Sequence, residues 1–317
     1  MKQILVTGGA GLIGSNLVRH LNGLGETEIT IVDNLGKGDK WKNLRGLRYK
    51  FYLEKEELFD FLEENNTFTH VFHLGACSST TENDASYLVQ NNYHYSVNLF
   101  HYSNEMGARF AYASSAATYG NGDLGYSEKI PVSNLRPLNA YGYSKQMFDE
   151  YLLQNNFLDR CLGLKYFNVF GMGEGHKGDM RSLVLKGYKQ IKETGKLQLF
   201  QSHKPEYNHG EQKRDFLYVK DAVSMTIGLA FANCSGIFNI GSGIAETWNE
   251  LARALFKAMN KEPQIDYVPM PESIQSKYQY YTCASMEKWQ KTGLPGPKYD
   301  LASSINEYVK ALNEDNL

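Results

Sequence analysis

Tyr141 and Lys145 stand four residues apart in Tyr141-Gly142-Tyr143-Ser144-Lys145, and Ser114-Ser115 precede them in the chain. On a helix, residues at that spacing share one face. A tyrosine with an ordinary pKa of about 10 is a poor base at neutral pH. A neighbouring ammonium stabilises the phenolate and lowers that value. A serine hydroxyl beside the pair can hydrogen-bond the oxygen that reacts. Together, Ser115, Tyr141 and Lys145 suit proton exchange with an alcohol or a ketone. A tyrosine and a lysine at this spacing most often mean packing, so the reading rests on what else the chain carries.

It carries Val6-Thr7-Gly8-Gly9-Ala10-Gly11-Leu12-Ile13-Gly14, which follows a strand-like run and opens a helical one. Gly8, Gly11 and Gly14 supply a tight turn, close backbone approach to a pyrophosphate, and close packing of helix on strand. The free N–H groups of the helix start, Leu12 and Ile13 among them, favour phosphate. Asp33 ends the second strand-like run, where an acidic residue binds an adenosine ribose. The pattern implies a dinucleotide, and a nicotinamide there would take the hydride that accompanies the proton moved by Tyr141. Asp33 favours NAD, because a carboxylate repels a 2′-phosphate. Lys37, Lys40 and Lys55 could pair with that phosphate instead. The residues alone leave NAD and NADP open.

These groups need a frame to meet in. Gln3–Thr7, Glu28–Asp33, Thr69–Leu74, Arg109–Ser114 and Leu162–Phe170 read as strands, and Leu12–Leu24 and Ala85–Met106 as helices. Strand and helix alternate, which predicts an α/β fold: a Rossmann-type doubly wound parallel sheet with helices on both faces. After Gly171 the rhythm changes. A helix is expected from about Met180 to Glu193, and 201–213 reads as a polar loop. Strands are expected at Asp215–Val219, Ile237–Ile240 and near Gln264–Val268, with a helix from Lys220. The expected partition is residues 1–170 plus about 214–241 as the dinucleotide-binding domain. A smaller mixed α/β substrate domain takes about 171–213 plus 242–317.

The balance of charge is even, 33 basic against 35 acidic side chains, with no long block of one sign. That gives no support for nucleic acid or an anionic membrane as the main partner. The four cysteines, Cys77, Cys161, Cys234 and Cys283, form no pair at metal-ligand spacing, so no metal is expected and reduced thiols are. No apolar run is long enough to span a bilayer, and Met1–Val6 enters a strand pattern directly. The expectation is a cytoplasmic protein.

The combination TGGAGLIG, YASSAATYG, YGYSK, KYFNVFG, RDFLYVKD and GIFNIGSG runs in order along nearly the whole chain. It resembles the extended short-chain dehydrogenase/reductases. Within them, GACSSTTE (Gly75–Glu82), QNNYHYS (Gln90–Ser96) and GEGHKG (Gly173–Gly178) are similar to the ADP-L-glycero-D-manno-heptose 6-epimerases, and these motifs are rarer than the glycine pattern. The resemblance implies a triad of Ser115, Tyr141 and Lys145, with Lys177 as a second acid/base. Inversion at carbon asks for such a group, because hydride leaves one face and returns to the other. The resemblance also implies NADP, with Asp33, Asn34, Lys40 and Lys55 at the adenosine end. Leu74, Gly75, Ala76, Cys77, Ser78, Asn91 and Val169 would line the cofactor. For an ADP-heptose substrate it points to Asn168, Asp179, Lys186, Phe200, Gln201, Ser202, His203, Arg214 and Tyr278. It further implies a homo-oligomer and a product used in lipopolysaccharide core biosynthesis.

Some positions depart from the family pattern. Asp179 stands where a serine is expected, Lys186 where a histidine is, and Leu74 where an acidic residue is. The loop Ser202–Lys213 is longer. Two other functions compete. Another nucleotide-sugar epimerase, such as a 4-epimerase, would use the same triad but leave GEGHKG unexplained. A non-catalytic NADP sensor would need no triad. A dehydratase would want a carboxylate near Ser115, where this chain has Ala116-Ala117-Thr118.

Overall fold

The computed structural model describes residues 2–65, 67–275 and 278–314. Six strands in chain order, β1 (Ile4–Thr7), β2 (Ile29–Asp33), β3 (Phe51–Glu54), β4 (His70–His73), β5 (Arg109–Ser115) and β6 (Cys161–Tyr166), build a parallel sheet. Three short strands follow, β7 (Asn168–Phe170), β8 (Leu197–Phe200) and β9 (Lys213–Tyr218). Then β10 (Gly236–Ile240) adds itself beside β6 as the seventh strand. The spatial order is β10-β6-β5-β4-β1-β2-β3. It reverses between β1 and β4, which opens a crevice at the carboxyl ends of the strands. Thr7, Asp33, His73, Ser115 and Tyr166 all end strands on that edge.

The strands are apolar on both faces because both faces are covered. Ile4 and Val6 enter the core shared with helices Leu12–Gly23 and Val219–Phe231, while Leu5 between them enters the opposite core. That second core holds Leu58, Leu99, Phe100, Phe148 and Leu152 from helices Leu58–Glu64, Tyr95–Glu105 and Ala140–Gln154. Each such side chain, fully buried, is worth about 1.5–3 kcal/mol. Beyond the main sheet, β9 pairs with β7 and with β11 (Ala245–Thr247), and β8 pairs with β12 (Ile265–Val268). Among the described residues, no helix is long and apolar enough to cross a membrane.

The doubly wound α/β sheet is the architecture expected, with four local differences. Phe51–Glu54 carries no alternating apolar signal because it is a partly exposed edge strand. The run expected as one strand, Leu162–Phe170, breaks at Phe167, whose N–H donates to the Ile240 carbonyl at 3.0 Å. The chain then turns into the small sheet as β7, where β9 also lies. The helix expected over Ala85–Met106 contains a π turn at Val89–His94, which carries Asn92 into the interior at 1% exposure. The helix expected from Met180 starts at Leu183, capped by the Ser182 hydroxyl, and Gly175–Met180 forms a 3-10 segment before it.

Candidate functional site

The glycine loop closes on itself too tightly for other residues at two positions. A Cβ on Gly14 would lie 2.1 Å from the Gly8 carbonyl oxygen. Gly8 has φ +70°, and a Cβ there would lie 2.6 Å from the Gly75 nitrogen. Gly11 is different: its nearest neighbour would be the Gly8 oxygen at 3.1 Å, and its other side faces the cleft. Helix Leu12–Gly23 begins at Gly11 with no side chain capping it, so its first N–H groups remain open to an anion. A cradle that a Cβ would fill, beneath an uncapped helix start, fits a dinucleotide pyrophosphate.

A cavity of about 510 Å³ runs from this loop across the carboxyl edge of the sheet. Gly8, Gly11, Leu12, Ile13 and Gly14 line it at one end, Leu74, Gly75, Ala76 and Ser78 along one side, and Asn168 and Val169 along another. A second cavity of about 240 Å³ adjoins it, lined by Asp33, Asn34, Lys40, Lys55, Cys77 and Asn91. The residues that the resemblance places at the cofactor therefore border these two spaces, whereas Lys37 is exposed and borders neither. The Asp33 carboxylate accepts from the Ala10 N–H at 2.8 Å and the Asn34 N–H at 2.7 Å, and it forms an ion pair with Lys40. Lys55 donates to the Asn91 side chain at 3.1 Å.

Helix Ala140–Gln154 starts where the Asn139 side chain accepts from the Gly142 N–H at 2.8 Å, so Tyr141 falls in the first turn. Gly142 lets that turn approach the backbone after Ser115: a Cβ there would lie 2.9 Å from the Ala117 oxygen. Ser115, Tyr141 and Lys145 all face the main cavity. Burial raises the Tyr141 phenol above its ordinary value, and a hydrogen bond with the Ser115 hydroxyl opposes that rise. Lys145 is 5% exposed and donates to the Ala113 carbonyl at 2.9 Å. Burial brings its ammonium down to about 8, with the Asp149 charge resisting.

A buried network sets the floor of the site. His73 is held by Thr7 Oγ1 at 2.7 Å and by Ser96 Oγ at 2.7 Å, and Ser96 donates to the Asn92 carbonyl at 2.6 Å. The Gly75 N–H donates to Thr7 Oγ1. Ser96 spends its proton on the Asn92 carbonyl, so His73 carries a proton on Nε2, an arrangement that a neutral ring satisfies. Burial agrees, lowering it to about 3. Asn92, turned inward by the π turn, accepts from the Cys77 N–H at 2.8 Å and donates to the Cys77 carbonyl and to Ser144 Oγ, both at 3.0 Å. It ties the Cys77 loop to the helix bearing Tyr141.

Lys177 enters the same cavity from the segment Gly175–Met180. Burial lowers its pKa and Glu174 opposes this. Glu174 is itself buried and accepts from Ser182 N at 2.5 Å, Ser182 Oγ at 2.7 Å and Tyr308 OH at 3.1 Å, which anchors the segment. Asn43 staples the other side, donating to the Ala10 carbonyl at 2.8 Å and the Gly173 carbonyl at 2.9 Å.

The residues expected at the substrate are less gathered. Asn168 lines the cavity. Asp179 and Lys186 are exposed, and Lys186 donates to the Asp179 carbonyl at 2.6 Å. Phe200 is 37% exposed at the end of β8, followed by Gln201. Ser202 and His203 are tied to the Tyr280 hydroxyl. Arg214 is 6% exposed and sits behind the cavity wall, between the rings of Trp248 and Tyr278 at 5.7 and 5.1 Å. It donates to the carbonyls of Lys213 and Gln279. Among the described residues it forms no ion pair, so a buried cation there is left without a counter-charge.

Sequence reasoning missed several wall residues: His176, Met180, Arg181, Trp248 and Gln279. For His176 the signal was present, since it adjoins Lys177 in GEGHKG. For Trp248 and Gln279 there was none, because they reach the cavity only through long-range packing.

Comparison with known proteins agrees with this geometry. Residues 4–241 match the family model for the NAD dependent epimerase/dehydratase family. A protein of Nitratidesulfovibrio vulgaris (strain DP4) named ADP-L-glycero-D-manno-heptose-6-epimerase is 47% identical over 311 residues, 96% of each chain. A protein of that name from Fusobacterium nucleatum is 41% identical over 97% of each chain. The crystal structure of the Helicobacter pylori ADP-L-glycero-D-manno-heptose-6-epimerase superposes with a TM-score of 0.82 at 29% identity, covering 98% of this chain and 96% of that one. A UDP-N-acetylglucosamine 4-epimerase from Methanobrevibacter ruminantium M1 reaches 0.84 at 25% identity, with 99% and 98% covered. Backbone shape thus fails to separate the two activities, whereas sequence identity does. With the cradle, the cavity and the match over residues 4–241 in hand, the chain belongs to the NAD dependent epimerase/dehydratase family.

Proposed function

We propose that the chain interconverts the C6″ epimers ADP-D-glycero-D-manno-heptose and ADP-L-glycero-D-manno-heptose. One observation carries this reading: 47% identity along 96% of both chains to a protein named for that reaction. The cavity supports it, because Ser115, Tyr141, Lys145 and Lys177 all border one space.

In this reading the cofactor is NADP. The adenosine cavity has two ammonium groups, Lys40 and Lys55, against the single carboxylate of Asp33, already paired with Lys40. A 2′-phosphate is therefore not repelled there. When bound, the dinucleotide supplies a hydride acceptor and returns the hydride. Tyr141 accepts the proton of the C6″ hydroxyl as that carbon becomes a ketone, and Ser115 hydrogen-bonds the same oxygen. The Lys145 ammonium stabilises the Tyr141 phenolate against the rise that burial causes. After the ketone turns in the cavity, its opposite face is reduced, and Lys177 supplies the proton on that side. Loss of a proton from Tyr141 and gain of one by Lys177 return both groups to their starting states, and no net oxidation occurs. The lowered pKa of Lys177 suits this role. Arg214, behind Gln279 and bonded to its carbonyl, would give its fork to the diphosphate only on exchanging that carbonyl for phosphate oxygens. Residues 1–170 with 214–241 hold the cofactor and 171–213 with 242–317 hold the sugar. A homo-oligomer is part of the same reading, and sedimentation tests it.

The test is to incubate purified protein with ADP-D-glycero-D-manno-heptose without added cofactor and resolve the C6″ epimers by chromatography. Conversion to an equilibrium mixture is expected. No conversion after adding NADP+ and then NAD+ overturns the substrate assignment. Turnover of a UDP-hexose instead would make the chain a 4-epimerase, the activity for which the Methanobrevibacter protein is named.

A further inference from the structure

Strand β5 carries Ser115 and helix Ala140–Gln154 carries Tyr141 and Lys145, so the triad depends on how these two elements are tied. Asp149 ties them. Its side chain is 0% exposed. Oδ1 accepts from the Tyr112 hydroxyl at 2.9 Å, and Oδ2 accepts from Ser114 Oγ at 2.8 Å and Lys165 Nζ at 2.7 Å. Tyr112 and Ser114 are alternate residues of β5 and share one face. Ala113 between them gives its carbonyl to Lys145. Lys165, on the neighbouring β6, also donates to Thr118 Oγ1 at 2.6 Å, and Thr118 donates to the Ser115 carbonyl at 2.8 Å. One carboxylate thus holds the strand on either side of the Lys145 acceptor and, through Lys165, the turn that follows Ser115.

A buried ion pair is weak evidence of stability, since apolar residues of similar volume often serve as well. The charge here has a second neighbour. Asp149 lies one helical turn beyond Lys145, on the same face. The titratable groups around Lys145 are Asp149 from its own helix, whose carboxylate is paired with Lys165 of β6, Cys77 from the loop after β4, and neutral His73 from β4. Tyr141 precedes it by one turn. Of these, Asp149 is the carboxylate.

We infer that Asp149 is a positioning residue for the Tyr141–Lys145 pair, registering their helix against β5 and supplying the negative charge that keeps the Lys145 ammonium protonated. The inference rests on reading Tyr141 and Lys145 as the proton-transfer pair. Burial alone favours a neutral Lys145, and the Asp149 charge is the larger of the two influences that resist it.

Two variants test it. Asp149→Asn strands Lys165 without a carboxylate, so Asp149→Asn/Lys165→Met removes both charges together. Tyr112→Phe removes one donor and leaves every charge. The titration of Lys145 is followed in the purified protein by NMR of 13C-labelled lysine, assigned with Lys145→Arg, and kcat and KM are measured against pH. In the double variant Lys145 should titrate about one pH unit lower, and the alkaline limb of kcat should move with it. KM should stay within about twofold. Tyr112→Phe should lower kcat about threefold or more without moving the Lys145 titration. A folded double variant with an unmoved Lys145 titration overturns the proposal, and so does wild-type kcat in Tyr112→Phe, which decides the matter if the charge variants do not fold. Activity retained in Tyr141→Phe would instead overturn the underlying assignment, and the NMR titration, which needs no turnover, keeps the two failures apart.

Discussion

The Lys145 ammonium donates to the Ala113 carbonyl at 2.9 Å, bridging the helix that starts beside Tyr141 to the strand that ends at Ser115. The same ammonium is nearly sealed from water, at 5% exposure. Its burial has a measurable thermodynamic consequence.

An unfolded lysine titrates near about 10.4, while Lys145 in the fold is brought down to about 8 by burial. Below pH 8 both states are protonated and the folded state bears the full cost of the buried charge. As pH rises from 8 towards 10, the folded form gives up its proton first and the cost fades. Wild-type protein should therefore gain stability through that window. Lys145→Met should be more stable than wild type by about 1–3 kcal/mol at pH 7, with the gain vanishing near pH 10 and activity lost throughout. Urea melts at the two pH values check this, and a variant less stable than wild type at pH 7 contradicts it.

The loop glycines should separate folding from binding. In Gly14→Ala the new methyl meets the Gly8 oxygen at 2.1 Å, so the backbone has to move and stability should fall by about 1–3 kcal/mol or more. Gly11→Ala meets only one atom, at 3.1 Å, and should melt close to wild type. Its methyl should nonetheless obstruct the pyrophosphate and weaken dinucleotide binding about tenfold or more, read by fluorescence titration. Equal stability losses in the two variants would count against this division.

Lys40 neutralises Asp33 at the adenosine end. Lys40→Ala should weaken NADP about tenfold or more, by removing one charge-assisted partner and freeing the carboxylate to repel the 2′-phosphate. NAD should change less than about threefold. Calorimetric titration of both dinucleotides gives the answer. A parallel loss for both would assign Lys40 to the shared adenosine and return the cofactor choice to NAD.

Burial lowers the pKa of Lys177, and the opposing charge of Glu174 is engaged with Ser182 and Tyr308. Lys177→Ala should keep the wild-type melting curve, because the segment is anchored through Glu174 and Asn43. Epimerisation should fall by about two orders of magnitude or more. Wild-type turnover in this variant would end its assignment as an acid/base.

The local features of this chain were legible because each is encoded within a few residues. Glycines at 8, 11 and 14 between strand and helix need no long-range information, and neither does the pairing of Tyr141 with Lys145 on one helical face. Alternating strands and helices dictated the parallel sheet, since a right-handed crossover leaves little choice. What the tertiary structure decided is where distant segments meet. The helix starting at Leu183 and the 3-10 segment before it bring Lys177 to a wall that β5 and helix Ala140–Gln154 had already begun. The inward turn of Asn92 comes from a π turn that apolar periodicity does not reveal. Arg214 lies behind Trp248 and Gln279 rather than on the open surface, and Asp149 finds Tyr112, Ser114 and Lys165 on two other strands. Burial and the choice of partner depend on residues far apart in the chain. A buried charge is therefore silent in the sequence until the fold supplies the groups that face it.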